Sequence, residues 1–217
     1  MSITLSTGAS VEVAKTYAAP VTFTGANISN ATEAVITVTH ALSALDYVEV
    51  SSGWGLMDKR VFRVKSVTGT TSFVLEGCNT SDLVKYPASA GGGSFRKVTA
   101  WSQLTQVKSI SASGGSQNYA NITAMDDVVE RQMPTTRAAV NMTIDVYDDP
   151  SLAWYADVSA ADAARAPYAL KMNFPNGSKL VANAYWSLMK VPTMAVNEAL
   201  MTQISLSYAA EPMRYAS

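Results

Sequence analysis

The chain has 217 residues, a formal net charge of −1, and 15% charged against 48% hydrophobic residues. That balance argues against tight electrostatic binding of nucleic acid, which needs clustered Lys and Arg. It leaves a surface of Ser, Thr, Ala, Asn and Gly that suits packing against other protein. The single cysteine, Cys78, has no internal partner, as expected of a chain matured in a reducing cytoplasm. The first ten residues, MSITLSTGAS, lack the basic start and apolar centre of a signal peptide. No stretch approaches the roughly 18 apolar residues of a membrane helix, so no membrane binding by this chain is expected.

In chain order, period-two alternation predicts short strands over residues 11–14, 21–24, 34–39, 47–51, 60–67 and 72–76. Their density between 20 and 97 predicts a small barrel or sandwich. Ala90-Gly91-Gly92-Gly93-Ser94 reads as a flexible loop or boundary. Strands follow over 106–112 and 138–147. The segment between them, 113–136, is longer than a compact domain normally tolerates and is expected to be functional, with a short strand over 121–125. Free in solution it should be mobile. Asp148-Asp149-Pro150-Ser151 predicts a helix start, with Asp as cap and Pro at the first helical position. Leu152, Tyr155 and Val158 form its expected buried stripe, and Pro167 closes it. A long hairpin over 167–188 turns at Pro175-Asn176-Gly177. The run 193–209 reads as one last strand.

Several strands are two-faced. Val140, Met142, Ile144 and Val146 oppose Asn141, Thr143 and Asp145. Leu170, Met172 and Phe174 oppose Ala169, Lys171 and Asn173. Met194, Val196, Leu200, Ile204 and Leu206 oppose Asn197, Gln203 and Ser205. This is the pattern of an antiparallel sheet packed on one side. The polar faces fit either an outward solvated surface or a wet channel. Long regular strands also leave long edges, which invite pairing with another chain.

Residues able to carry chemistry are sparse. His40 is the only histidine, so no His-dependent triad can be assembled, and no Cys-x-x-Cys or Glu-x-x-His spacing exists. Asp148-Asp149 reads as a cap, and Asp126-Asp127 lies in the long loop with Glu130 and Arg131. No enzyme activity, cofactor or metal is expected. A competing reading is a carbohydrate-binding or adhesin-like β-sandwich presenting Trp54 and Trp101.

The order of parts carries a resemblance. After the long-loop hairpin comes a Pro-started helix with Ala153-Trp154-Tyr155. A strand ending Asn173-Phe174-Pro175-Asn176-Gly177 follows, then one with Ala184-Tyr185-Trp186-Ser187, and last Thr202-Gln203-Ile204-Ser205-Leu206. Over about residues 98–212 this resembles the major tail tube protein of long-tailed, non-contractile bacteriophages. The resemblance implies a mainly β, antiparallel sandwich or barrel with one flanking helix. It divides the chain into a discontinuous tail-tube domain, 1–19 and 98–217, and a small inserted β-domain, 20–97. It further implies a virion protein, assembled in the host cytoplasm into stacked hexameric rings that form a conduit for genome DNA at ejection. The implied partners are further copies, a tape-measure protein in the lumen, and tail terminator and tail-tip proteins. Asn141, Thr143, Asp145, Lys171, Asn173, Asn197, Gln203 and Ser205 then become candidate lumen residues. Tyr119, Asp126, Asp127, Glu130 and Arg131 become candidate contacts between subunits and rings.

Overall fold

A computed structural model describes residues 7–216. The expected signal-free start and the outermost ends of the expected tail-tube domain, residues 1–6 and 217, lie outside the described residues. Fifteen strands, one α-helix and one short 3-10 helix (Gly25–Asn27) are present among the described residues. In chain order they are β1 (Ser10–Tyr17), β2 (Val21–Phe23), β3 (Val35–Thr37), β4 (Tyr47–Ser52), β5 (Arg60–Thr68), β6 (Ser72–Leu75), β7 (Gly93–Leu104), β8 (Val107–Ser113), β9 (Gln117–Asn121) and β10 (Gln132–Arg137). Then follow β11 (Asn141–Tyr147), α1 (Ala153–Ala164), β12 (Tyr168–Asn173), β13 (Lys179–Leu188), β14 (Met201–Tyr208) and β15 (Met213–Tyr215). The chain is mainly β, as the alternation implies.

Every strand pair is antiparallel, and one hydrogen-bonded path runs β3-β6-β5-β4-β7-β1-β12-β13-β14-β11-β8. β15 adds to β13, β2 adds to β7, and β9 with β10 forms a separate two-stranded ribbon. The path bends into two packed regions. In one, Phe62, Phe73, Ile36, Trp54 and Phe95 make a core beneath β2 to β7. In the other, Trp154, Val158, Leu170, Ile144, Ile204 and Trp186 pack α1 against β1 and β11 to β14. A third, smaller cluster of Tyr47, Val61, Val98, Ala169, Val181 and Tyr215 lies where the two regions meet.

Three local expectations are corrected. The glycine-rich run 90–94 is built in rather than flexible: Gly93 and Ser94 begin β7, and Gly91 is buried on the Trp54 ring. A Cβ at Gly91 would lie 2.7 Å from that ring, so only glycine fits. The helix begins at Ala153, not Pro150, because Asp149 spends its carboxylate on Ser151 instead. Asp149 Oδ1 accepts from Ser151 N (3.0 Å) and Ser151 Oγ (2.6 Å), closing a turn ahead of the helix. Its buried stripe is therefore Trp154, Val158 and Ala161, with Leu152 and Tyr155 half-buried beside it. The run 193–209 is a loop followed by a strand. Thr193 and Met201 bridge each other, Ala195 O accepts from Glu198 N (3.2 Å), and Asn197 takes a left-handed φ of 64°.

The hairpin at 175–177 forms as read. Gly177 has φ 81°, and Phe174 N and Ser178 O close the turn at 3.0 Å. Trp154 joins the helix to the sheet. Trp154→Ala is expected to cost about 3–5 kcal/mol, whereas Leu83→Ala, at an exposed position, should stay within about 0.5 kcal/mol. Urea denaturation of the two variants checks this.

Candidate functional site

The wet face is set by strand parity. β11 pairs with β14 over seven consecutive residues, Asn141↔Ser207 through Tyr147↔Met201, with no irregularity. Met142, Ile144 and Val146 thereby point into the core with Thr202, Ile204 and Leu206. Asn141, Thr143 and Asp145 face the other way, beside Ser207, Ser205 and Gln203.

The same register extends to both sides. On β8, Ser113, Ser111 and Ser109 stand opposite Asn141, Thr143 and Asp145. On β13, Tyr185 and Ser187 stand opposite Ser207 and Ser205. Four strands thus present cross-strand rows of small hydroxyl and amide groups: Ser113–Asn141–Ser207–Tyr185, Ser111–Thr143–Ser205–Ser187 and Ser109–Asp145–Gln203. Part of this face is a shallow concavity of about 300 Å³, lined by Asn141, Thr143, Tyr185, Ser187, Ser205 and Ser207. Asp145 is the only ionisable carboxylate in these rows. Ser109 Oγ donates to it at 2.6 Å and Gln203 Nε2 at 3.2 Å. The Ser109 bond, then the Gln203 bond, hold its pKa below the ordinary carboxylate value.

Five of the eight candidate face residues, Asn141, Thr143, Asp145, Gln203 and Ser205, are brought together here. Lys171 and Asn173 share the parity but lie on β12, the next strand beyond β13, at the meeting of the two packed regions. Lys171 Nζ pairs with Glu12 Oε2 (2.7 Å), with side chains only 13% and 16% exposed, and sits 4.5 Å from the centre of the Trp101 ring. Asn173 Nδ2 donates to Glu12 Oε1 (2.5 Å) and Ser10 Oγ (3.0 Å). Asn197 is in the 189–200 loop. Residues the sequence reading did not place on the face are Ser109, Ser111, Ser113, Tyr185 and Ser187. The Ser-x-Ser-x-Ser alternation of β8 was the available signal.

Both borders of the four-strand patch are unpaired among the described residues. β8 ends the hydrogen-bonded path. On the opposite border, β12 stops at Tyr168↔Ala184, so residues 185–188 of β13 have no strand on that side. Unpaired backbone of this kind is a template for another strand.

The expected loop 113–136 contains a two-stranded arm. β9 and β10 form its ribbon, and the expected strand over 121–125 stops at Asn121, whose Oδ1 caps Thr123 N at 2.8 Å. Tyr119, Ile122, Met125, Val128, Val129 and Met133 are exposed along it. Arg131 pairs with Asp127 (3.1 Å), and Asp127 also accepts from Ala124 N (3.0 Å), so both shape the tip. Asp126 and Glu130 are exposed. At the arm's root an open cavity of about 440 Å³ is lined by Arg137, Val140, Tyr208, Glu211 and Pro212, among others.

A family model described as "Phage tail tube protein, TTP" matches residues 52–217. The chain belongs to the phage tail tube protein family. The match starts at the last residue of β4, so it takes in β5 to β7 as well as the region around α1. No curated protein matches this tail tube protein. Among solved structures, it is similar to the cap of the anti-feeding prophage, its tube-terminating cap, at 21% identity over 53% of this chain and 83% of that one, with a TM-score of 0.40. A sheath/tube terminator of an extracellular contractile injection system, PVC, shows 19% identity over 49% and 84%, with a TM-score of 0.38. The anti-feeding prophage baseplate shows 6% identity over 82% and 97%, with a TM-score of 0.39.

Of the two tryptophans of the competing reading, Trp54 is buried and Trp101 half-buried. Trp54 is 2% exposed and donates Nε1 to Pro87 O (2.9 Å). Trp101 is held between Lys171 and an edge-on Tyr47. His40 is buried against Phe73 and accepts from Leu42 N at 3.1 Å. Burial pushes the Cys78 thiol up to about 11, which keeps it protonated and unreactive near neutral pH. Among the described residues no three His, Cys, Asp or Glu side chains cluster, and no helix is long and apolar enough to cross a membrane.

Two outcomes follow. Lys171→Ala leaves Glu12 nearly buried without its cation and is expected to destabilise the fold by roughly 3 kcal/mol, read by urea denaturation. Asp145 has a depressed folded pKa, so its contribution is complete above the unfolded value near 4 and is lost as pH falls through the folded value. The group is largely solvated, so the effect stays under about 1 kcal/mol. Asp145→Asn should therefore lower stability slightly at pH 7 and not at pH 2, measured by paired denaturation curves.

Proposed function

We propose that this tail tube protein closes into rings through the two open borders of its four-strand patch, and that the hydroxyl and amide face lines the channel. In this reading β8 of one copy pairs with residues 185–188 of the next. The sheets of the ring, six copies in the resemblance, then join into one barrel, which removes the exposed edges. The observation that carries the reading is the coincidence of the small polar rows with a pair of unpaired borders on the same strands.

The chemistry fits a conduit. A wall of Ser, Thr, Asn and Gln, in which the exposed Lys108 at the β8 bulge lies near the hydrogen-bonded Asp145, offers phosphates little cationic grip. Genome DNA would slide along it at ejection, and a tape-measure protein would occupy it before. The protein acts structurally, without catalysis. Stacked rings would be capped by terminator and tip proteins, after assembly in the host cytoplasm. The region 20–97 is proposed as a separate β-domain on the outside of the tube, inserted between 1–19 and 98–217. Its own aromatic core supports that division, while β7 runs unbroken through the 97/98 junction and ties the two together.

Negative-stain microscopy of the purified protein tests the reading: rings or tubes are expected, and a monodisperse monomer at high concentration would sink it. Thr143→Arg with Gln203→Arg should fold and assemble normally, because both sites are on the wet face. Virions carrying the pair are expected to eject DNA more slowly, with the wild-type ejection rate as the outcome that removes this face from the lumen.

A further inference from the structure

Each packed region has a core that shares no buried residue with the other. The core beneath β2 to β7 draws its buried side chains from Phe23 to Phe95, and the core around α1 draws none from 20–97. All nine ion pairs among the described residues lie within 20–97 or wholly outside it, so none ties the two regions. In the junction cluster the 20–97 region contributes only Tyr47 and Val61 to the buried set. Of the side chains partly buried against its own core, only Met213 comes from outside 20–97 among the described residues. Met213 and the buried Tyr215 both belong to β15. That strand pairs with β13 over three residues, Lys179↔Tyr215, Leu180↔Arg214 and Val181↔Met213. β12 occupies the other edge of the same β13 residues, so β15 lies in line with β14.

The three side chains of β15 divide between the regions. Met213 Sδ accepts from Arg60 Nη2 at 2.7 Å, and a Cβ at Gly77 would lie 3.3 Å from Met213 Cε. Tyr215 is 4% exposed and its hydroxyl accepts from Arg63 N. Arg214, between them, turns back to the tail-tube hairpin, its guanidinium 4.7 Å from the centre of the Phe174 ring. Across the junction from β15, pairing is irregular. β1 shifts register against β7 between Ala14 and Thr16 and again between Thr16 and Tyr17, opposite Trp101 to Val98. Bulges of this kind bend a strand, and β7 passes the same point unbroken. We propose that β15 is a detachable clasp, whose release lets the 20–97 region turn about β7 while both cores stay folded. The inference rests on the division at 20–97 and names what fastens it. Strand addition with alternate side chains in pockets is how many proteins hold an extended peptide; here the peptide is the chain's own. Three residues on one edge have few backbone bonds to lose, and water replaces each of them.

Amide hydrogen exchange at single-residue resolution and small-angle scattering of the dispersed full chain test this. Arg63 N is bonded to the Tyr215 hydroxyl, so its amide reports the clasp directly. An opened variant carries Met213→Ala with Tyr215→Ala. A locked variant carries Leu180→Cys with Arg214→Cys, cross-strand partners whose spacing suits a disulfide. In the wild type the amides of 179–181, 213–215 and Arg63 are expected to exchange as one group, faster than those of β6 and β11. In the opened variant that group should exchange about tenfold faster or more, with β6 and β11 at wild-type rates and a larger radius of gyration. Oxidation of the locked variant should slow the group, and reduction should restore it. Unchanged exchange in the opened variant, or faster exchange at the wild-type radius, overturns the clasp and leaves the division at 20–97 standing. Acceleration of β6 and β11 to the same degree as the group removes the division, and the clasp with it. If the opened variant does not fold, the locked one decides: a group that keeps its wild-type rate when oxidised overturns the inference.

Discussion

The pairing register of β11 is the constraint on which the rest depends. Its seven residues alternate strictly, β14 alternates in phase with all of them, and β8 does so over Ser109 to Ser113, with a bulge at Lys108 beyond. A one-residue slip against β14 would turn Ile144 and Met142 to solvent and bury Asp145 and Thr143. Burying a carboxylate away from Ser109 and Gln203 is costly, and so is exposing two core side chains. The register is therefore held from both faces at once. It also aligns Ser109, Ser111 and Ser113 with their neighbours, so the extent of the wet patch and its borders are consequences of one local choice.

The two packed regions are joined by more than the chain. β7 runs through both, with Phe95 in one core and Leu104 in the other, and paired ions under aromatic rings line the junction. Lys171 lies between Glu12 and Trp101, Arg96 between Glu49 and the Tyr17 ring (3.8 Å), and Arg63 between Glu76 and Tyr215 (4.6 Å). Tyr215 reaches across from the last strand, its hydroxyl accepting from Arg63 N at 2.9 Å. Its phenol is pushed up chiefly by burial, as is that of Tyr17. A half-buried cation satisfied by a carboxylate on one side and a ring on the other holds a defined geometry. These contacts tie β4, β5 and β7 to β1, β12 and β15.

Strand positions were legible in the sequence wherever burial alternates, as in β6 and β11, because parity is a local property. What was illegible depended on distant partners. Gly91 looks like linker until Trp54 is placed beneath it. Lys171 looks like a wet-face residue by parity, but the region that covers it lies some 70 to 120 residues earlier in the chain. Leu152, Tyr155 and Trp154 compete for the inward face of one helix, and Asp149's choice of Ser151 as partner shifts the start that decides between them. Asn197 shows a different failure. Its neighbours alternate as a strand would, yet Asn tolerates the left-handed backbone that ends one, and Met201 pairs back on Thr193. Serines on β8 carry a weak signal because Ser is common in loops as well.

Ring closure and the clasp would draw on different physics. The proposed joint between β8 and residues 185–188 would consist of backbone hydrogen bonds along a polar wall, and its register would have to match that of the wet rows. Such bonds are directional and contribute modestly each, since water competes for every unpaired group in the free copy. The clasp would rest mostly on the burial of Met213 and Tyr215, with three backbone pairs behind them, and hydrophobic burial weakens on cooling. Directional pairing suits closure, where one wrong angle leaves a gap. Burial with less directional demand suits a contact that is made and released within one copy. A chain divided in this way would close rings with less dependence on temperature than it would hold its clasp. The contrast arises from where the chain puts its serines and where it puts Met213 and Tyr215.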